Sequence, residues 1–236
     1  YHRSSKGGGE WEFFHLPEQW EINYKDLTFR LKPFSFKHTG LFPEQATNWD
    51  WFGDLIRRAN RPIKVLNLFA YTGGATMACA AAGAQEVVHV DAAKGMVQWA
   101  KENMVLSHLE DRRIRFIVDD VLKFVAREKR RGRTYHAIIM DPPSYGRGPK
   151  GEIWKIEEQL YPLVSACLDI LDPHPLFFLI NSYTTGFPAS VLRNILSSTV
   201  LRRHPAGKVE AGEIGLPISA SDMILPCGIY GRWIEE

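Results

Sequence analysis

From Ile63 onward, short apolar segments alternate with segments of helical pattern, and this alternation limits the possible folds more than any other feature of the sequence. Strands that alternate with helices form a parallel sheet with helices on both faces. We predict buried strands at Val65–Phe69, Val87–Val90, Ile114–Val118, Tyr135–Met140 and Leu176–Ile180. We predict helices at Ala75–Ala82, with Gly83 as its cap, and at Lys94–His108, Val121–Lys129, Ile153–Leu171 and Pro188–Leu201.

The two ends of the chain do not follow this alternation of strands and helices. Near the C-terminus, strands at Lys208–Ile214 and Met223–Tyr230 follow each other without a helix, which predicts an antiparallel finish to a seven-stranded sheet. Near the N-terminus, Trp20–Tyr24 and Leu27–Leu31 alternate in polarity around Lys25-Asp26 and predict a β-hairpin. A loop and a helix ending near Arg58 follow. We therefore predict a small annex at residues 1–60 and a main domain at residues 61–236.

The composition excludes several classes of protein. Hydrophobic residues make up 45% and charged residues 24% of 236, as in globular proteins with a substantial core. No apolar run approaches the ~18 residues of a membrane helix, and no signal peptide is visible. Three scattered cysteines without metal-ligand spacing (Cys79, Cys167 and Cys227) predict no metal site and a cytoplasmic location. Because the first residue is Tyr1, we expect further residues upstream.

The residues that follow the predicted strands indicate a nucleotide-like cofactor. In doubly wound sheets, ligands bind at the carboxyl ends of the strands. The first strand leads into a loop at Asn67–Gly74, whose two glycines let the backbone approach a ligand closely. Asp91 follows the second strand and can accept hydrogen bonds from ribose hydroxyls, and Asp119 and Asp120 follow the third. Helix capping is the alternative role for each of these acids. The glycine pattern matches neither a dinucleotide fingerprint nor a P-loop.

The fourth strand ends in Asp141-Pro142-Pro143-Ser144-Tyr145, and here the chain resembles a known family. This segment is similar to motif IV, and Val65–Gly74 to motif I, of class I S-adenosylmethionine-dependent methyltransferases. Together with His38–Gln45 and Leu225–Gly228, the pattern resembles the catalytic domain of bacterial large-subunit ribosomal RNA methyltransferases, a group with cytosine-C5 and guanine methylating members. The resemblance implies a Rossmann-like fold, S-adenosylmethionine as cofactor and RNA as partner, without a membrane or a metal.

The resemblance also implies roles for individual residues. The Asn67–Gly74 loop would hold the methionine end of the cofactor, although this chain has Asn67 where the family usually has aspartate. Asp91 matches the ribose-binding acid and Asp120 the position near adenine, while His38–Gln45 matches a loop that covers the cofactor. The predicted cofactor-binding residues are His38, Thr39, Gly40, Phe42, Gln45, Asn67, Phe69, Tyr71, Thr72, Gly73, Gly74, Asp91, Ala92, Asp119 and Asp120.

Motif IV is the predicted catalytic segment, comprising Asp141, Pro142, Pro143, Ser144 and Tyr145. A rigid Pro-Pro turn and the Asp141 side chain can accept hydrogen bonds from an exocyclic amine and orient its lone pair toward the methyl group. Tyr145 can stack on a planar base. Trp154 and Tyr183 either add to this platform or serve in packing.

No cysteine occurs in Asp141–Tyr145 or in Asn181–Thr185, where cytosine-C5 enzymes carry their nucleophile. Attack on a pyrimidine needs a thiolate beside the base, so we predict transfer to nitrogen instead. The basic run from Arg127 to Arg133 either touches phosphates or is a solvated helix end.

Methylation of a base in RNA, ribosomal RNA above all, is the function that the sequence favours. Methylation of a small molecule or a protein stays open, because the net charge of +2 neither requires nor excludes nucleic acid. A non-catalytic protein that binds S-adenosylmethionine or RNA is a further alternative, favoured only by Asn67. A dehydrogenase is the least favoured reading. The target atom and the oligomeric state are left open.

Overall fold

The computed structural model describes residues 1–4, 9–34, 38–148, 151 and 153–236. A two-stranded ladder pairs β1 (His2–Arg3) with β2 (Gly9–Glu10). The predicted hairpin follows with the predicted bounds, as β3 (Trp20–Tyr24) and β4 (Leu27–Leu31). Lys25 adopts the left-handed φ of 52° that this tight turn requires.

The remaining strands and the helices also follow the predicted order, except for two short strands at Tyr145–Arg147 and Ile153–Lys155 that were not predicted. The strands are β5 (Lys64–Leu68), β6 (Glu86–Asp91), β7 (Ile114–Val118), β8 (Ala137–Met140), β9 (Tyr145–Arg147), β10 (Ile153–Lys155), β11 (Phe177–Ser182), β12 (Gly207–Pro217) and β13 (Ile224–Glu235). The helices are α1 (Ala46–Arg58), preceded by a 3-10 turn at Pro43–Gln45, and α2 (Gly74–Ala81), α3 (Lys94–Leu106), α4 (Val121–Arg130), α5 (Ile156–Cys167) and α6 (Ala189–Leu196), which continues as a π-helical turn at Ser197–Leu201.

Seven of these strands form the predicted sheet, in the order β12-β13-β11-β8-β5-β6-β7. The five strands from β11 to β7 are mutually parallel, and β13 runs antiparallel to both of its neighbours. The α/β fold with a mostly parallel sheet and an antiparallel last strand is therefore confirmed. No helix among the described residues is long and apolar enough to span a membrane.

The predicted helix at Ile153–Leu171 was wrong in its first turn. Ile153–Lys155 is the strand β10, which pairs with β9 in a hairpin directly after motif IV, and α5 begins only at Ile156. The indole of Trp154 donates to the carbonyl oxygen of Pro143 (2.7 Å), which holds this segment extended. A tertiary hydrogen bond thus overrides the local helical pattern.

The hairpin β3–β4 shares its hydrophobic core with the main sheet. Leu27 and Phe29 are buried in one cluster with Val65 and Met77, on the face of the sheet that α1 and α2 cover. The backbone amide of Arg30 donates to the Asn103 side chain (2.9 Å) on α3. The division of the chain at residue 60 stays a prediction, and the N-terminal hairpin packs directly on the main sheet and α3.

Candidate active site

A cleft opens at the carboxyl ends of β5, β8 and β11. It brings together Asp141 and seven of the predicted cofactor-binding residues, namely Phe42, Gln45, Asn67, Phe69, Tyr71, Thr72 and Gly74. The other lining residues are Leu41, Trp49, Ala70, Ala75, Ile139 and Asn181. None of these lining side chains is a lysine or an arginine. The cleft therefore combines aromatic rings and a carboxylate without a cation.

The backbone of the Asn67–Gly74 loop is sharply turned. Phe69 and Tyr71 adopt left-handed φ values of 54° and 50°, and Gly73 has a φ of 87° at the N-terminus of α2. Residues other than glycine rarely adopt this region, and they do so mainly where the surrounding structure holds them. A Cβ on Gly74 would lie 2.6 Å from the Trp49 ring, so a larger residue there would displace α1 from the loop.

The orientation of Asn67 is set by two buried neighbours. Its Nδ2 donates to Thr76 Oγ1 (2.9 Å), which in turn lies 3.0 Å from His89 Nδ1. Burial lowers the pKa of His89 to about 3, so the imidazole that shares this hydrogen bond with Thr76 is neutral. One amide N–H of Asn67 is engaged in this way, and its carbonyl oxygen Oδ1 is available as an acceptor for a ligand.

Asp91 holds the loop that follows β5. Its Oδ2 accepts from the Tyr71 backbone amide (2.9 Å), and its Oδ1 accepts from the Ala93 amide (2.8 Å). Ala92 is the residue between Asp91 and Ala93 in this turn. Burial raises the pKa of this carboxyl group. Each carboxylate oxygen retains a second lone pair, so a ribose ligand for Asp91 stays a prediction compatible with this geometry.

Asp119 and Asp120 make internal contacts at the end of β7. Asp120 caps α4 by accepting from the Lys123 amide (2.9 Å), which is the capping role that the sequence left open. Asp119 accepts from the Asp120 amide (2.9 Å) and forms an ion pair with Arg127 (2.5 Å). Neither residue lines the cleft, and their predicted place near adenine stays a prediction.

The His38–Gln45 loop packs on the Asn67–Gly74 loop. Thr72 Oγ1 donates to the carbonyl oxygen of Gly40 (2.6 Å), and the Phe42 ring lies 5.7 Å from that of Tyr71. His38 contacts Phe42 edge-on at 5.3 Å, and the carbonyl of Thr39 accepts from the Lys32 amide. Gly40 has a φ of 102°, and a Cβ there would lie 2.3 Å from the Trp99 ring. These contacts place the loop as a wall of the cleft.

Motif IV presents two acceptors without an internal donor. Among the described residues, no side chain or amide donates to the Asp141 carboxylate or to the Pro142 carbonyl. Burial and the neighbouring Glu44 raise the pKa of Asp141 to about 7. The Pro143 carbonyl, by contrast, already accepts from Trp154, which is 9% exposed and packs on Phe69 at 4.9 Å. Trp154 therefore serves in packing and is no stacking platform.

The rest of motif IV faces outward or toward the end of β11. Ser144 Oγ and Thr184 Oγ1 share a hydrogen bond of 2.7 Å. Tyr145 is 51% exposed at the start of β9, where its ring is open to a planar ligand. Tyr183 is held by Gln45 Nε2, which donates to its hydroxyl (2.8 Å), and by the Phe42 ring at 5.4 Å.

A buried polar network under this region was not predicted from the sequence. Arg232 is 7% exposed and donates to Asn48 Oδ1 (2.5 Å). Asn48 Nδ2 donates to Gln45 Oε1 (2.9 Å) and to Asn181 Oδ1 (2.8 Å). The side chains come from β13, α1, the 3-10 turn and β11, so only the folded chain assembles them. The network ties Gln45 and its neighbour Glu44 to the end of β11.

Cys79 and Cys167 are buried, and burial raises the pKa of both thiols. Cys227 lies near the start of β13, beside the carboxyl end of β11. Because β13 is antiparallel, its first residues lie beside the last residues of β11, with Ser182 paired to Ile229. Burial and Glu44 raise the pKa of Cys227, which keeps it a neutral thiol rather than the thiolate that a nucleophile requires.

Comparison with known proteins gives consistent matches. Residues 2–159 match the family model described as S-adenosylmethionine-dependent methyltransferase. A solved S-adenosylmethionine-dependent methyltransferase from Agrobacterium tumefaciens is 38% identical, with a TM-score of 0.91 over 98% of this chain and 75% of that one. The ribosomal RNA large subunit methyltransferase K/L of Shewanella frigidimarina is 30% identical over 62% of this chain, and that of Syntrophotalea carbinolica is 25% identical over 84%. The chain spans only 20% and 28% of these two relatives.

Proposed function

Since this chain belongs to the S-adenosylmethionine-dependent methyltransferases, we propose that it transfers the methyl group of this cofactor to a nitrogen atom of a base in RNA. Ribosomal RNA of the large subunit is the favoured target. The proposal draws on the similarity to ribosomal RNA large subunit methyltransferases K/L and on the chemistry of the cleft described above.

The unpaired Asp141 carboxylate is the observation that carries this proposal. Asp141 is half-buried at the edge of the cleft, so its carboxylate is open to a ligand that can donate hydrogen bonds to it. Asp141 lies in the same cleft as the Asn67–Gly74 loop, and the adjacent Pro142 carbonyl is also free among the described residues. An exocyclic amine has two N–H groups, which match these two acceptors. A nucleobase that presents such an amine is therefore the substrate class that best fits motif IV.

The residues of the cleft also fit the cofactor. Bound S-adenosylmethionine supplies an electrophilic methyl group on a positively charged sulfonium. The rings of Phe42, Phe69 and Tyr71 suit an adenosine, and the cation-free lining with its carboxylate suits the positive charge. Asn67 Oδ1 would accept from the amino group of the cofactor. Asp141 and Pro142 hold the acceptor nitrogen, so catalysis depends mainly on positioning.

Two other functions stay alternatives. Methylation of a small molecule is compatible with the same acceptors, and Tyr145 would then contact an aromatic substrate rather than a base. Methylation of a protein is the second alternative. The deciding experiment compares modified nucleosides in total RNA from cells with and without the gene by mass spectrometry. Loss of one N-methylated nucleoside, restored when purified protein and S-adenosylmethionine are added to the RNA, would support the proposal. Unchanged nucleosides would exclude it.

Replacing Asp91 with alanine is expected to weaken S-adenosylmethionine binding about 10- to 100-fold, because the ribose hydroxyls lose a charged acceptor worth ~1.5–3 kcal/mol. Titration calorimetry with the cofactor and with S-adenosylhomocysteine measures the effect. Asp91→Asn keeps one oxygen for the Tyr71 amide and should give an intermediate loss. Asp111→Ala, on the exposed surface, is the matched control. An unchanged dissociation constant in Asp91→Ala would rule this residue out as the ribose ligand.

Changing Cys79, Cys167 and Cys227 together to serine is expected to leave the rate of methyl transfer within about threefold of the parent rate. Cytosine-C5 chemistry needs a thiolate, and the raised pKa of each of the three cysteines disfavours that form. The rate is measured on the true substrate, together with a test for covalent adducts on RNA that contains 5-fluorocytosine. Loss of turnover with intact cofactor binding, or a trapped adduct in the parent protein, would indicate methylation of cytosine at C5 instead.

A further inference from the structure

Arg232 on β13 is a buried cation without an acidic partner. The residue is 7% exposed, and it forms no ion pair among the described residues. Glu210, which lies opposite it on β12, pairs with Lys208 instead (3.4 Å). The guanidinium carbon lies 4.3 Å from the centre of the Trp51 ring and 4.1 Å from that of Tyr230. Because burial of a charge is costly, a guanidinium held only by rings and a side-chain amide points to a role in orienting that amide.

The guanidinium sets the direction of the hydrogen bonds in the polar network. It has donors only, so Asn48 must face it with Oδ1 and turn Nδ2 toward Gln45 and Asn181. Both of these amides must then present their oxygen atoms to Asn48, at 2.9 Å and 2.8 Å. Reversal of any of the three amides would bring donor against donor or acceptor against acceptor. The nitrogen atoms of Gln45 and Asn181 are therefore fixed on the sides that face away from Asn48.

Asn181 keeps one N–H group unused in this arrangement. One N–H of its Nδ2 donates to Gln45 Oε1 (3.3 Å), and the second has no acceptor among the described residues. Asn181 is 2% exposed and lines the cleft. The network therefore presents a hydrogen-bond donor of fixed orientation to a ligand in the cleft.

This donor belongs to the residue beside Asp141. β8 and β11 are parallel neighbours with Met140 paired to Ile180, so Asp141 and Asn181 are the next pair along the two strands. Adjacent strands are ~4.8 Å apart, and paired residues of parallel strands point to the same face of the sheet. Both side chains line the cleft. An acceptor and a donor thus lie side by side at the carboxyl edge of the sheet.

An acceptor beside a donor matches one edge of two nucleobases. In adenine and in cytosine, the carbon that bears the exocyclic amine is also bonded to an unprotonated ring nitrogen, so the edge offers a donor beside an acceptor. In guanine, the corresponding carbon carries a ring N–H on one side, which would meet Asn181 donor to donor. The unprotonated nitrogen of guanine lies on the other side, next to the sugar. Uracil has no exocyclic amine.

We propose that Asn181 donates to the ring nitrogen beside the acceptor amine, and that Arg232 is the positioning residue that fixes this donor. The inference rests on the proposed function, methyl transfer to a nitrogen of a base, and it narrows the substrate to adenine or cytosine. Asp141 accepts from the amine while Asn181 donates to the neighbouring ring nitrogen. Two hydrogen bonds to one edge prevent rotation of the base in its plane, which keeps the amine in one position in the cleft.

The first test uses the parent protein with its cofactor site filled by S-adenosylhomocysteine. Adenosine is compared with 1-deazaadenosine, and cytidine with 3-deazacytidine, because each analogue keeps the amine but has C–H in place of the ring nitrogen. For the preferred base, we expect NMR titration to show about 5- to 100-fold weaker binding of the analogue. Equal affinities within each pair would overturn the proposal. So would the absence of binding, or tighter binding of guanosine than of adenosine and cytidine.

The second test separates the roles of Asn181 and Arg232. Asn181→Asp replaces the N–H group with an oxygen and should remove the preference for the ring nitrogen, while the affinity for S-adenosylhomocysteine stays within about threefold. Arg232→Met allows Asn48 to rotate and should reduce the preference. Arg232→Lys keeps a group that only donates and should restore it. Arg202→Met, on the exposed surface, is the matched control.

The outcomes of these tests are distinct. An unchanged preference in Asn181→Asp, with weaker binding of S-adenosylhomocysteine, would assign the N–H group to the cofactor and overturn the proposal. A full preference in Arg232→Met would exclude Arg232 as the positioning residue. A methyl group found on guanine or uracil in cellular RNA would contradict the substrate class. If the parent protein methylates no RNA but shows a ring-nitrogen preference that depends on Asn181, the proposed function fails while the assigned donor remains.

Discussion

Replacement of Asp141 by alanine is expected to lower the rate of methyl transfer about 100- to 1000-fold while cofactor affinity changes by no more than a few-fold. The variant removes the carboxylate that would hold the acceptor amine, and the contact with that amine matters most in the transition state. The Pro142 carbonyl alone cannot orient the amine. Single-turnover kinetics and calorimetry, done on the same preparation, separate the two effects. Asp169→Asn, at an exposed ion pair with Lys129, is the matched control.

The pH dependence of the methyl-transfer rate provides a second test of the role of Asp141. The pKa of Asp141 is raised to about 7, so the carboxyl group of the free enzyme becomes protonated as the pH falls through that value. If the ionised form accepts from the amine, activity should decline below about pH 7. A rate that does not change between about pH 5 and 8 would contradict this role.

Stability should respond in the opposite direction to activity. A carboxyl group with a raised pKa stabilises the folded state at pH values below its ordinary pKa, and this contribution is lost as the pH rises to about 7. The loss is about 1.4 kcal/mol for each unit of raised pKa. Asp141→Ala should therefore gain stability relative to the parent protein between about pH 4 and 8, as measured by denaturant unfolding. A variant that is less stable at every pH, by a constant amount, would show that Asp141 is a structural residue.

Replacement of Asn103 by alanine is expected to lower the free energy of unfolding by about 2–5 kcal/mol. Asn103 is fully buried, donates to the Thr72 carbonyl (2.9 Å) and accepts from the Arg30 amide (2.9 Å). Without the side chain, the buried Thr72 carbonyl and the partly buried Arg30 amide lose their partner, at ~1–3 kcal/mol each for buried groups. Because Thr72 belongs to the cofactor loop, S-adenosylhomocysteine should also bind more weakly. Urea unfolding and calorimetry measure the two effects.

Asn194→Ala is the control for this substitution, since Asn194 is exposed on α6 and alanine is the better helix former. Its stability should equal or slightly exceed that of the parent protein. If Asn103→Ala unfolds at the same urea concentration as Asn194→Ala, the N-terminal hairpin does not depend on this bridge. A loss of stability without any loss of cofactor affinity would show that the bridge supports the hairpin but not the loop.

The sequence by itself determined the order and type of most elements. Each of the parallel strands contains a short apolar run near segments of helical pattern, and this local pattern does not depend on distant contacts. The segments Asp141-Pro142-Pro143 and Asn67–Gly74 could also be predicted from the local sequence, because their turn-forming prolines and glycines belong to the motifs. The β9–β10 hairpin was missed because the hydrogen bond from Trp154 to the Pro143 carbonyl, which holds Trp154 extended, has no counterpart in the local hydrophobic pattern.

Only the tertiary structure determined which charged side chains and amide groups are in contact with each other. Whether Asp120 caps a helix or faces a ligand depends on the position of the Lys123 amide, and either role uses the same residue type at the same place. Cys227 lies beside the carboxyl end of β11 because β13 is antiparallel, so the start of β13 and not its end lies at this edge of the sheet. The Arg232 network carries no signal in the sequence, since Asn48 pairs with Arg232 and Asn181 across more than a hundred residues. Burial and Coulomb interactions depend on distances in space, and these exist only once the chain has folded.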